Sequence, residues 1–137
     1  MEKSEFLEFA EHNERACDYL NVKGEFIDWV ITTAFYSSIH FIHHKIFPFK
    51  YTFPDGSIRE YNSFEKLYQQ FSGGKQSKHG YLRNFVEANH EGIAIDFQHL
   101  MDTCMTARYN NYRLDPDAAK IARMRLKNIK KYCIASA

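Results

Sequence analysis

The chain contains no run of about twenty uninterrupted apolar residues, the length a membrane-crossing helix needs. Its most apolar stretch is broken by Asp28, His40, His43, His44 and Lys45, and no membrane partner is expected. There is no Cys-x-x-Cys pair: Cys17, Cys104 and Cys133 are odd in number and widely spaced, and no apolar signal follows Met1. Reduced thiols packed as small core residues in a cytoplasmic protein are the expectation. Gly-x-Gly-x-x-Gly and Walker loops are missing, and Ser72-Gly73-Gly74-Lys75 lacks the spacing and flanking strand of a phosphate cradle, so it reads as a turn. No Ser-His-Asp or Cys-His arrangement stands out. One sign of charge does not prevail either: 18 basic against 17 acidic residues leave a net charge of +1, so any anion site has to be local. Repeats, low-complexity tracts and interdomain linkers are absent too, which leaves one domain over residues 1–137, long enough to bury a core without disulfides or a structural metal.

What the chain has in plenty is aromatic residues, nine Tyr and twelve Phe. The segment from Glu25 to Phe47 carries apolar residues at helical spacing around most of its circumference, Phe26, Trp29, Phe35 and Phe41 among them, and predicts a central helix covered on several sides. Tyr36, His40, His43 and His44 recur at intervals of three and four and share one side of it. Before it, Phe6, Leu7, Phe9, Ala10, Cys17 and Leu20 form one stripe of an amphipathic helix from Ser4, its expected N-cap, to about Asn21, with Gly24 as the break. After it, Phe49, Tyr51 and Phe53 alternate up to Pro54-Asp55-Gly56-Ser57 and predict a short hairpin. Asn62 and Glu65 resemble a capping box opening a helix through Phe71, and Ser77 caps another from Lys78 to Asn89. A further helix is expected from Ile93 or Asp96 to about Tyr112. The last, from Pro116 to Ile134, opens on Asp115-Pro116 and counts Ile121 and Met124 among its partly buried residues. The predicted fold is all-α: an up-and-down bundle of about five to six helices with a short hairpin-like excursion after the second helix.

Three stretches carry a resemblance. Trp29 to His40 holds Ala34-Phe35-Tyr36 followed after four residues by His40; Ser77-Lys78-His79-Gly80 follows; and Arg108 to Tyr132 places an Arg near a helix end, a nearby Tyr, a short acidic break and an Ala-rich helix. In this order they resemble the HEPN superfamily of small helical-bundle domains. The resemblance implies a bundle that often dimerises and that binds or processes RNA or binds a nucleotide. Its ribonuclease members cut RNA without metal, using an Arg followed after four to six residues by a His. Arg108 stands at the matching place, while Arg113 occupies the position of the nearest such His, so that motif is incomplete here. Other members are toxin or antitoxin components, partners of small nucleotidyltransferases, or non-catalytic assembly domains.

The residues themselves point to several chemistries. Arg108, Tyr109, Asn111, Tyr112 and Arg113 offer guanidinium forks, amides and aromatic faces suited to phosphate contact and base stacking, although cations at a helix C-terminus also serve simply to complement its dipole. Cleavage by 2′-OH attack needs a general base, for which His40 and His79 are the candidates beside Arg108. A metal-binding bundle using His40, His43 and His44, with Asp96 and His99 on a second helix, is one alternative; no metal or other cofactor is expected on the main account. The other alternative is a non-catalytic dimerisation or protein-interaction module whose aromatic surface near Phe49, Tyr51 and Phe53 holds a partner protein.

Overall fold

The computed structural model describes residues 3–110 and 114–135. Among them are six α-helices: α1 (Lys3–Lys23), α2 (Ile27–Ile46), α3 (Phe64–Phe71), α4 (Lys78–Asn89), α5 (Ala94–Met105) and α6 (Pro116–Ala135). The expected hairpin, β1 (Phe49–Thr52) and β2 (Ile58–Tyr61), follows α2 and pairs antiparallel with Phe49 opposite Tyr61 and Thr52 opposite Ile58. Its turn is held by the Asp55 carboxylate, which accepts from the Ser57 N–H at 2.9 Å, with Gly56 at φ 89°. No helix among the described residues is long and apolar enough to cross a membrane.

Helix α2 is the axis of the bundle. Val30, Ile31, Ala34, Phe35, Phe41 and Ile42 are all buried, and small residues bring α1 close: the Ser37 hydroxyl donates to the Ala10 carbonyl at 2.7 Å, and the Cys17 thiol to the Val30 carbonyl at 3.4 Å. Partner numbers fall on α1 as they rise on α2, so the pair is antiparallel. Stacking of Phe35 on Phe97 at 5.7 Å and the Thr32–Cys104 contact set α5 antiparallel to α2 as well. Helix α6 runs beside both, bound to α1 by the Arg123–Asp18 and Lys130–Glu14 ion pairs and to α5 by Arg125–Asp96. Cys17, Cys104 and Cys133 are buried and free, and burial raises all three thiols, Cys133 to about 12.

Local signals hold in places and shift in others. Ser77 caps α4, accepting from the Gly80 N–H at 3.1 Å, and Asp115 precedes Pro116 and accepts from the Asp117 N–H at 2.8 Å. The cap of α3 is Ser63, not Asn62: its hydroxyl accepts from the Lys66 N–H at 3.3 Å. Ser4 lies inside α1, one residue past its start. On α6 the buried stripe is Ala119, Ala122, Leu126, Ile129 and Cys133, which turns Ile121 and Met124 outward. Trp29, expected to be covered, is 53% exposed on the opening turn of α2, where no ring among the described residues packs against it. The helix predicted to run on to about Tyr112 instead ends as an α-helix at Met105 and continues as a π-turn over Thr106–Asn110.

Candidate nucleic-acid interface

Tyr36 projects from the middle of α2, partly exposed, with its ring packed on Phe35 at 5.5 Å between centroids. Seventy-two residues later the π-turn, which carries more residues per turn than an α-helix, re-aims the side chains after Met105. Arg108 is thereby directed onto Tyr36: its Nη1 donates to the Tyr36 Oη at 2.8 Å, and its guanidinium carbon sits 6.0 Å from the Tyr36 ring centroid and 5.4 Å from that of Tyr109. Tyr109 is 70% exposed. The Ser77 cap opens α4 so that His79, its second residue, reaches the same place, edge-on to Phe35 at 5.4 Å and to Tyr36 at 6.3 Å. Burial, and then the positive charge of Arg108, lower the His79 pKa, which keeps its imidazole neutral near pH 7.

Of the expected residues, the fold therefore brings Arg108, Tyr109 and His79 together, from two elements distant in sequence, around a tyrosine on a third. No carboxylate among the described residues pairs with Arg108; its recorded contacts are a phenol hydroxyl and two ring faces. That combination suits an anionic ligand bearing flat rings: a fork for phosphate, an exposed aromatic face beside it, and a neutral imidazole able to take a proton. Asn111, Tyr112 and Arg113 lie outside the described residues. Tyr36 lies on the polar side of α2 that the sequence marks as the first place to look for a site, although the sequence assigns it no role there.

The other histidines face different neighbours. His40 stacks on Phe9 of α1 at 5.4 Å and meets His43 edge-on at 5.9 Å; its Nδ1 is buried without a hydrogen-bond partner among the described residues, and burial lowers its pKa. His43 packs against Phe64 at 5.4 Å, Phe6 at 5.6 Å and Phe47 at 5.7 Å. Its Nε2 is also unpartnered among the described residues, and burial foremost, then His40, pushes its pKa down to about 3. His44 meets the Lys3 carbonyl through Nδ1 at 3.0 Å, while the Lys3 ammonium donates to the His44 and Phe47 carbonyls at the end of α2. Asp96 is engaged by Arg125 at 3.0 Å and Asn128 at 3.4 Å. Among the described residues no group of three or more His, Cys, Asp or Glu is placed to hold a metal ion.

The hairpin aromatics serve largely to fasten the hairpin. Tyr51 packs on Phe53 at 5.0 Å and on Phe71 of α3 at 4.9 Å, and Phe49 packs on Phe85 of α4 at 5.3 Å. No family model matches this chain, and neither does any curated protein or solved structure.

Proposed function

We propose that this chain is a HEPN-like, homodimeric bundle that binds single-stranded RNA through Arg108, Tyr109, Tyr36 and His79. The observation that carries the proposal is the Arg108–Tyr36 contact: a guanidinium without a carboxylate partner among the described residues, oriented by a phenol and flanked by an exposed ring. A guanidinium acting only to complement a helix dipole needs no such orienting group. Single strands are favoured over duplexes because only unpaired bases offer a face to Tyr109. His79, neutral beside Arg108, supplies the proton acceptor that cleavage by 2′-OH attack would use, and no metal enters the scheme.

The test is competition for the protein between a labelled single strand, the same strand unlabelled, and its duplex, repeated with Tyr109→Ala. The single strand is expected to displace the label at lower concentration than the duplex, and Tyr109→Ala to weaken binding by about five-fold or more, the effect of losing one stacked base. Equal competition by the duplex, or wild-type affinity in Tyr109→Ala, would refute the assignment.

A further inference from the structure

Helix α2 carries a second feature that the Arg108 cluster does not use. Trp29, Thr33, Tyr36, His40 and His43 follow one another at alternating steps of four and three, and Phe26 precedes Trp29 by three. Phe26 is the non-helical residue just before the start of α2, and at about 100° per residue the five positions from Trp29 to His43 fall in one stripe along the helix. Its far end is covered, His43 lying against Phe6 and Phe64. The near end is open: Trp29 is 53% exposed and Phe26 49% exposed, and neither ring meets another aromatic ring among the described residues. Thr33 adds no bulk there, since its hydroxyl turns back to the Trp29 carbonyl at 2.7 Å. Asp28, the carboxylate nearest in sequence, lies about a quarter turn off the stripe.

An exposed indole is costly to leave in water and returns little in the free protein. Trp29 stands seven residues before Tyr36, so it lies about 10 Å along the helix from the phenol that holds Arg108, on the same side. Two exposed rings, Trp29 on α2 and Tyr109 beside Arg108, thus accompany a guanidinium that no carboxylate among the described residues neutralises. We infer that the open stripe from Trp29 to Tyr36 is a base-stacking track for single-stranded RNA, with Arg108 holding a phosphate at its inner end and Trp29 stacking a base beyond it. Charge complementarity selects this occupant: an exposed indole on the same side of α2 as a cation that no carboxylate among the described residues neutralises fits alternating rings and phosphates, the pattern of a single strand. This rests on the proposed RNA binding and extends it to a stretch of strand with a fixed direction across the bundle.

Trp29 is the single tryptophan of the chain, so its emission reports this position alone. The experiment titrates the intact protein with a labelled adenine-rich RNA of about ten nucleotides, within the range such sites cover, and reads label anisotropy and tryptophan emission together. The two signals are expected to saturate in parallel, with emission quenched. Trp29→Ala is expected to weaken binding by about five- to one-hundred-fold and Trp29→Phe to restore most of it, while an RNA lacking bases loses the difference between wild type and Trp29→Ala. Circular dichroism melting of both variants is expected to match wild type. Binding seen by anisotropy with unchanged tryptophan emission and wild-type affinity in Trp29→Ala would overturn the track and leave the Arg108 site standing. No anisotropy change at low salt would remove the RNA proposal itself, and the track with it. Emission that instead changes with protein concentration alone, alongside a doubling of mass, would assign the stripe to a second copy of the chain and overturn the track.

Discussion

His43 shows how one side chain couples this fold to pH. Its ring is enclosed by Phe6, Phe47 and Phe64, its Nε2 has no hydrogen-bond partner among the described residues, and its pKa in the folded protein is about 3 against 6.5 for an ordinary histidine. The folded state therefore resists the proton that the unfolded chain accepts. Stability is fully present above about pH 6.5 and is lost as pH falls from there toward 3, by at most about 1.4 kcal/mol per pH unit for this group. His43→Phe keeps the ring and removes the titration, so urea melts between pH 7 and 5 should show a shallower fall in the midpoint than wild type. His40, His79 and His90, also lowered by burial, sustain the remaining slope. An identical slope in the variant would mean that His43 is not enclosed. The sequence assigns His43 to a polar side and Trp29 to a covered one, and the structure reverses both. What covers His43 is decided by Phe6 and Phe64, whose proximity no local pattern carries.

At the scale of elements, small buried residues let α1 and α2 approach closely, Ala10 meeting Ser37 and Cys17 meeting the Val30 carbonyl. Ala10→Leu should overpack this seam and cost about 1–3 kcal/mol, read as a lowered melting temperature; an unchanged value would contradict the antiparallel contact. Ser77→Ala removes the hydroxyl that satisfies the Gly80 N–H and should cost about 1 kcal/mol. Because that cap also sets where α4 begins, and so where His79 sits beside Tyr36, the loss should reach RNA affinity too. Helix ends of this kind were legible because a cap is a short-range event: Ser77 and Asp115 act within three residues of themselves. At α3 two adjacent residues can both cap, and only the geometry distinguishes Ser63 from Asn62. The π-turn over Thr106–Asn110 was not legible, since its residues fit an α-helix equally well. That turn is what directs Arg108 to Tyr36, so the residue types of the candidate site could be read in the chain, but their convergence could not.

Taken as a whole molecule, the protein is nearly neutral, at +1, and among the described residues three of six ion pairs tie α6 to its neighbours: Arg123 to Asp18, Lys130 to Glu14 and Arg125 to Asp96. With little global field to attract RNA, the proposed binding has to draw on local cations left without carboxylates, of which Arg108 is one that the fold orients. The most direct test of that claim is the salt dependence of single-stranded RNA binding in wild type and Arg108→Ala, measured as the slope of log affinity against log salt. Each phosphate contact contributes about 0.7 to this slope for a single strand. Arg108→Ala is predicted to weaken binding and flatten the slope by about that amount, with melting temperature unchanged, since the side chain is exposed and its Tyr36 contact lies at the surface. Wild-type slope and affinity in the variant, or wild-type protein that binds no RNA at low salt, would contradict it.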